Sequence, residues 1–211
     1  ENFRQTREFV GPAAVFSVAP ASGERGGLRG PSQTTDHATI SRPSFEAIRF
    51  YTDRFYARHK RLFASRIKER WIRDCHGDLH ADQICAENGI AFIDCIEFNE
   101  RFRYSDVAAD IAFPAMDVDY YGRPDLSAVL IRAYVAAAGD PGVLDVLDFY
   151  KCYRAFTRGK VRGFRLRQPG VSDADRRAIV DRASRYFELA SGYARAPGPL
   201  AIAISGLMGT G

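Results

Sequence analysis

The sequence predicts an α+β fold that is mostly helical, with one small β-turn-β element in its middle. Three observations predict it. Apolar residues recur at helical spacing over most of residues 44–193. One stretch instead carries two short apolar runs, 84–86 and 90–93, separated by the turn signal Glu87-Asn88-Gly89. The composition, 46% hydrophobic and 27% charged over 211 residues, is that of an average globular chain, which excludes collagen-like, coiled-coil and wholly disordered classes.

In chain order, residues 1–43 form a poorly defined segment whose 11–43 stretch is rich in Gly and Pro and reads as a long loop. From Ser44, Phe45, Ile48, Tyr51, Phe55, Leu62, Phe63 and Ile67 mark one long amphipathic helix to about Arg70. Residues 71–75 and 90–93 read as short strands. Ser105 is the expected cap of a helix through Val107, Ile111 and Met116, which Pro114 should kink or shorten. Pro124 opens the next helix and Gly139 ends it. Residues 143–167 form another, and Ser172 with Asp175 caps a last one ending near Tyr193. Residues 44–195 thus make one domain. Residues 196–211 read as a linker, a strand and a glycine-rich turn opening a second.

Apolar runs such as 134–138 and 200–204 are far below the roughly 20 residues of a bilayer span, so no membrane partner is expected. Cys75, Cys85, Cys95 and Cys152 show no C-x-x-C pair and read as reduced, part-buried thiols, which fits a cytoplasmic protein. The net charge of +4 hides a segregation. Residues 74–150 carry 4 basic and 15 acidic groups, whereas 151–211 carry 12 and 4. An acidic middle between basic arms argues against a continuous nucleic-acid surface and suits metal ions or a cationic substrate.

Chemistry concentrates in His76-Gly-Asp-Leu-His-Ala-Asp-Gln83, followed eleven residues later by Asp94 at the end of an apolar strand. Phosphoryl transfer needs a carboxylate to orient or deprotonate a hydroxyl, and oxygen ligands for a magnesium ion that bridges phosphates. Asp78, Gln83 and Asp94 supply those groups. The segment resembles the catalytic loop of the aminoglycoside phosphotransferase family, relatives of the protein kinases. It is most similar to a bacterial subgroup in which this domain precedes a P-loop ATPase domain. The resemblance covers about residues 44–211 and implies the large, C-terminal lobe of a protein-kinase-like fold. It implies Asp78 as catalytic base, Asp94 and Gln83 as metal ligands, ATP and Mg2+ as cofactors, and a small-molecule hydroxyl as acceptor, an aminoglycoside or aminosugar being the class it suggests. Gln83 stands where the family has Asn.

His76 reads as a loop-bracing residue, and Asp106 and Asp110 resemble the family's capping and loop-holding pair. His80, Asp82 and Glu97 read equally as site-lining residues and as solvated or loop-bracing ones. The row Arg154, Arg158 and Arg162 reads as a solvated or domain-contact face ahead of an anion site. Gly206-Leu-Met-Gly-Thr-Gly211 reproduces the G-x-x-x-x-G of a Walker A loop without its Lys and Ser/Thr, a truncated nucleotide-binding element made of Gly206, Gly209, Thr210 and Gly211.

Two further expectations concern the rest of the protein. Lys60, Lys68, Lys151 and Lys160 are the only lysines, and none lies on a strand upstream of Asp78, so the kinase-like small lobe is expected outside this chain. The partners are then that lobe and the remainder of the P-loop domain, and the fragment alone is expected to be nearly inactive. The rival reading is a non-catalytic, pseudokinase-like module regulating the attached ATPase. Gln83 favours it, while retention of Asp78 and Asp94 opposes it.

Overall fold

The computed structural model describes residues 39–195. They form α1 (Arg42–Arg58), α2 (Lys60–Lys68), β1 (Ile72–Asp74), β2 (Ile84–Cys85), β3 (Ala91–Phe92), α3 (Glu100–Arg103), β4 (Tyr104–Asp106), α4 (Val107–Tyr120), α5 (Pro124–Ala138), α6 (Val143–Phe164) and α7 (Asp173–Ala194). The class is α+β and mostly helical. The strands make two separate antiparallel pairs, β1 with β4 and β2 with β3.

The main core lies where α1, α4, α6 and α7 meet. Phe45, Ile48, Phe113, Met116, Phe156 and Phe187 are buried there, each contributing roughly 1.5–3 kcal/mol by leaving water. Gly159 sets the closeness of α6 and α7, since a Cβ there would sit 3.0 Å from the Phe187 ring. A smaller cluster, Ala108, Val143 and Val146, joins α4 to α6, with Leu62 and Phe63 of α2 packed against it.

Several expected elements shift. The long first helix begins at Arg42, two residues early, because Ser41 accepts the Ser44 amide and Pro43 fits the first turn. It also breaks at His59, whose ring stacks on Phe55 and donates from Nδ1 to the Phe55 carbonyl at 2.8 Å, competing with the helix ladder. Ser105 does not cap α4: it pairs with Arg73 in the β1–β4 ladder, and Asp106 caps by accepting the Ala108 amide at 2.9 Å. Pro114 is buried and does not shorten α4, whose packing outweighs the missing hydrogen bond. The helix from Val143 gives way to a 3-10 turn at Arg165–Arg167. The predicted turn and caps at Gly89, Gly139 and Ser172 stand as read. All four cysteines are free, but Cys85 and Cys95 are exposed, because the β2–β3 hairpin has no layer over it.

Candidate active site

The loop from Cys75 to Gln83 leaves the end of β1 and is clamped from the helical side. Asp110 accepts the amides of His76 and Gly77 at 2.9 and 3.0 Å. Arg154, buried on α6, donates from Nη1 to the Gly77 carbonyl at 2.9 Å and from Nε to the Ala109 carbonyl at 3.0 Å. Burial pushes its guanidinium down from the ordinary value, with Tyr153 and then Asp110, 4.0 Å away, acting in the other direction. Asp117 accepts the Ala81 amide at 2.9 Å and the Tyr186 hydroxyl at 3.2 Å. Gly77 has φ +82°, and a Cβ there would come within 3.0 Å of the Phe102 carbonyl oxygen, so the loop admits only glycine without strain.

The opposite wall is the β2–β3 hairpin together with residues 93–98. The Ile93 amide donates to the Gln83 carbonyl, His76 donates from Nε2 to the Ile93 carbonyl at 2.7 Å, and the Ile96 amide donates to the His76 carbonyl. His76 therefore ties the loop to the hairpin. Asp94 is in a left-handed conformation, φ +59°, uncommon for a residue with a side chain and typical of places where the surroundings over-determine the backbone. Gln83 Nε2 donates to Asp94 Oδ2 at 3.0 Å. Asp78 and Asp94 line one open cleft of about 520 Å³, together with Ile96, Glu97 and Phe98. The Asp78 side chain is 46% exposed to it.

His80 is buried between two carboxylates, Nε2 3.6 Å from Asp78 and Nδ1 3.5 Å from Asp82. Burial, and then Arg158, hold its pKa below the ordinary value despite Asp78, Asp117 and Asp82 nearby. Asp82 in turn meets Arg158 at 3.5 Å and Arg162 at 4.0 Å. The row Arg154, Arg158 and Arg162 is thus a buried to half-buried brace of this loop and not a solvated face, because α6 passes directly beneath it.

A second anchor lies behind. Arg66 donates two hydrogen bonds to Asp106 (2.6 and 2.8 Å) and two to Asp140 (3.0 and 2.9 Å), all three buried. Burial opposes its charge, but the bonds from Asp140 and Asp106 outweigh this and hold the guanidinium firmly protonated. Asp106 thereby joins the end of β4, the start of α4 and α2. Asp78, Gln83, Asp94, His76, Asp106 and Asp110 are all brought to the loop or its supports. Gly206, Gly209, Thr210 and Gly211 lie outside the described residues, as do residues 1–38 of the Gly/Pro-rich segment.

Sequence reasoning missed Arg66, Asp117 and Asp140. Asp117 had a signal: a carboxylate after Ala112-Phe-Pro-Ala-Met116 sits on an apolar face, where burial demands a partner. Arg66 and Asp140 had none, being 74 residues apart.

The donor set bears on a metal. Among the described residues no group of three or more His, Cys, Asp or Glu converges. Asp94 offers hard carboxylate oxygens, while Gln83 faces it through the amide nitrogen, so the Gln83 oxygen joins a cation there only if the amide turns over. Magnesium is held by one or two carboxylates plus substrate phosphates and not by a full protein cage, a demand that Asp94 suits.

Over 145 residues the chain is 39% identical to uncharacterized proteins of Mycobacterium tuberculosis and Mycobacterium bovis. The match takes in 67% of this chain and 29% of each relative, so the chain spans under a third of their length. No family model and no solved structure matches. Among the described residues no helix is long and apolar enough to cross a membrane.

Proposed function

We infer that this chain is the large lobe of a kinase-like phosphotransferase of the aminoglycoside phosphotransferase type, transferring the γ-phosphoryl group of ATP to a small-molecule hydroxyl. The observation that carries this reading is that Asp78 and Asp94 line one open cleft, with Gln83 bonded to Asp94 and the Asp78 loop clamped from beneath. Asp78 orients the acceptor hydroxyl and takes its proton as its oxygen bonds to the γ-phosphorus and the bond to the β-phosphate oxygen breaks. Asp94 with Gln83 would hold magnesium, which supplies neutralisation of charge on the phosphates. Positional catalysis of this kind leaves the base worth roughly 10²–10⁴ in rate. Exposed Phe98 in the cleft, and Ile90 and Phe92 beside it, offer apolar surface to an adenine ring or an opposing lobe.

The test is magnesium-dependent binding of a non-hydrolysable ATP analogue to the 211-residue chain. Affinity should rise with magnesium in the parent and in Asp78→Asn, and the magnesium effect should vanish in Asp94→Asn. The rival reading, a regulatory pseudokinase-like module, is favoured by one observation: the Gln83–Asp94 hydrogen bond occupies both ligands with each other. It predicts the same binding with and without Asp94.

A further inference from the structure

About half of the acidic residues in the middle of the chain are neutralised within it. Asp74 is bound by Arg103, Asp106 and Asp140 by Arg66, Asp110 and Asp117 by loop amides, Asp119 by Lys151, and Asp125 by Arg123. Open charge of the other sign stands at the corner between α6 and α7. There Arg162, Arg165 and Arg182 line a cavity of about 320 Å³ with Gln168, and Asp175 is its one carboxylate. Ser172 Oγ donates to Asp175 at 2.7 Å. Neither Arg165 nor Arg182 has an ion-pair partner among the described residues.

The corner is joined to the loop that bears Asp78. Arg162 lies in the cavity wall and 4.0 Å from Asp82, Asp82 lies 3.5 Å from His80, and His80 lies 3.6 Å from Asp78. This chain of contacts couples the corner to the loop that carries Asp78. Arg165 and Arg182 against Asp175, with Arg162 shared with Asp82, leave the corner net cationic. A phosphomonoester carries about −1.5 to −2 at neutral pH, and guanidinium forks match its oxygens, so the charge favours phosphate over a single carboxylate.

We propose that this arginine corner binds the phosphate group of the phosphoryl acceptor, so that the acceptor is a phosphorylated alcohol and not an aminosugar. The word acceptor rests on the phosphotransferase reading; the phosphate site itself does not. The test is a chemical-shift titration of the isotope-labelled 211-residue chain with inorganic phosphate, glycerol 3-phosphate and glycerol. Both phosphates should give saturable shifts at residues 165–171 and 178–182, and glycerol none. Arg165 and Arg182 are exposed, so the double variant Arg165→Gln/Arg182→Gln should keep its fold, checked by circular dichroism, and bind phosphate roughly ten-fold more weakly or worse. A magnesium-bound non-hydrolysable ATP analogue should not displace glycerol 3-phosphate. Absence of saturable shifts at the corner, or equal affinity in the double variant, would overturn the site. Displacement by the analogue would assign the corner to the nucleotide and overturn the acceptor claim. Because no turnover is read, nucleotide binding that is the same in the parent and in Asp94→Asn, with these shifts intact, would remove the phosphotransferase reading and leave the phosphate site standing.

Discussion

Arg66 carries four hydrogen bonds to two buried carboxylates, one of which caps α4 beneath the Asp78 loop. Removing only the cation strands Asp106 and Asp140 in a dry environment. Arg66→Met should therefore lose about 3–5 kcal/mol of stability, read by urea denaturation. His80 acts at the same scale through pH. Its folded pKa lies below the unfolded value near 6.5, owing to burial and then Arg158, with Asp78, Asp117 and Asp82 acting in the other direction. The unfolded chain then binds the proton more readily. Its contribution is fully present above pH 6.5 and is lost as pH falls through the folded value. Denaturation midpoints of the parent should fall more steeply below pH 6.5 than those of His80→Gln; parallel profiles would contradict this assignment.

At the scale of elements, the Asp78 loop is a β1-to-turn connection held by α4, α6 and α7 through Asp110, Asp117, Arg154 and Tyr186. Gly77 is its tightest point. Gly77→Ala should cost roughly 1–3 kcal/mol from the left-handed backbone, plus the clash with Phe102. Hydrogen exchange at the His76 and Ala81 amides should accelerate while that of α7 does not. Elements with local punctuation were legible in the sequence: Pro124 and Gly139 bound α5, Ser172 caps α7, and Glu87-Asn88-Gly89 turns β2 into β3. The β1–β4 pair was not, because its partners lie about 30 residues apart and Ile72, Arg73 and Asp74 are all exposed, with no alternation to read. That pairing displaced the α4 cap from Ser105 to Asp106. The site divides the same way. Its motif residues are contiguous and so readable, whereas the clamp from α6 depends on an arginine row whose burial only the packing of α6 under the loop reveals.

For the whole molecule, the charge segregation becomes an internal device. Acidic residues of the 74–150 segment anchor the loops and helix ends, and arginines of α6 and α7 face both the loop and the open corner beside it. Asp78 and Asp94 line one open cleft. The central claim is that Asp94 and Gln83 hold a divalent cation there. Manganese, a paramagnetic stand-in for magnesium, tests this most directly in the presence of a non-hydrolysable ATP analogue. The account predicts selective broadening of amide signals from residues 77–83 and 93–97, with Gly139 at the far end of α5 unaffected, and loss of that broadening in Asp94→Asn. Broadening centred elsewhere, or unchanged in Asp94→Asn, would contradict it.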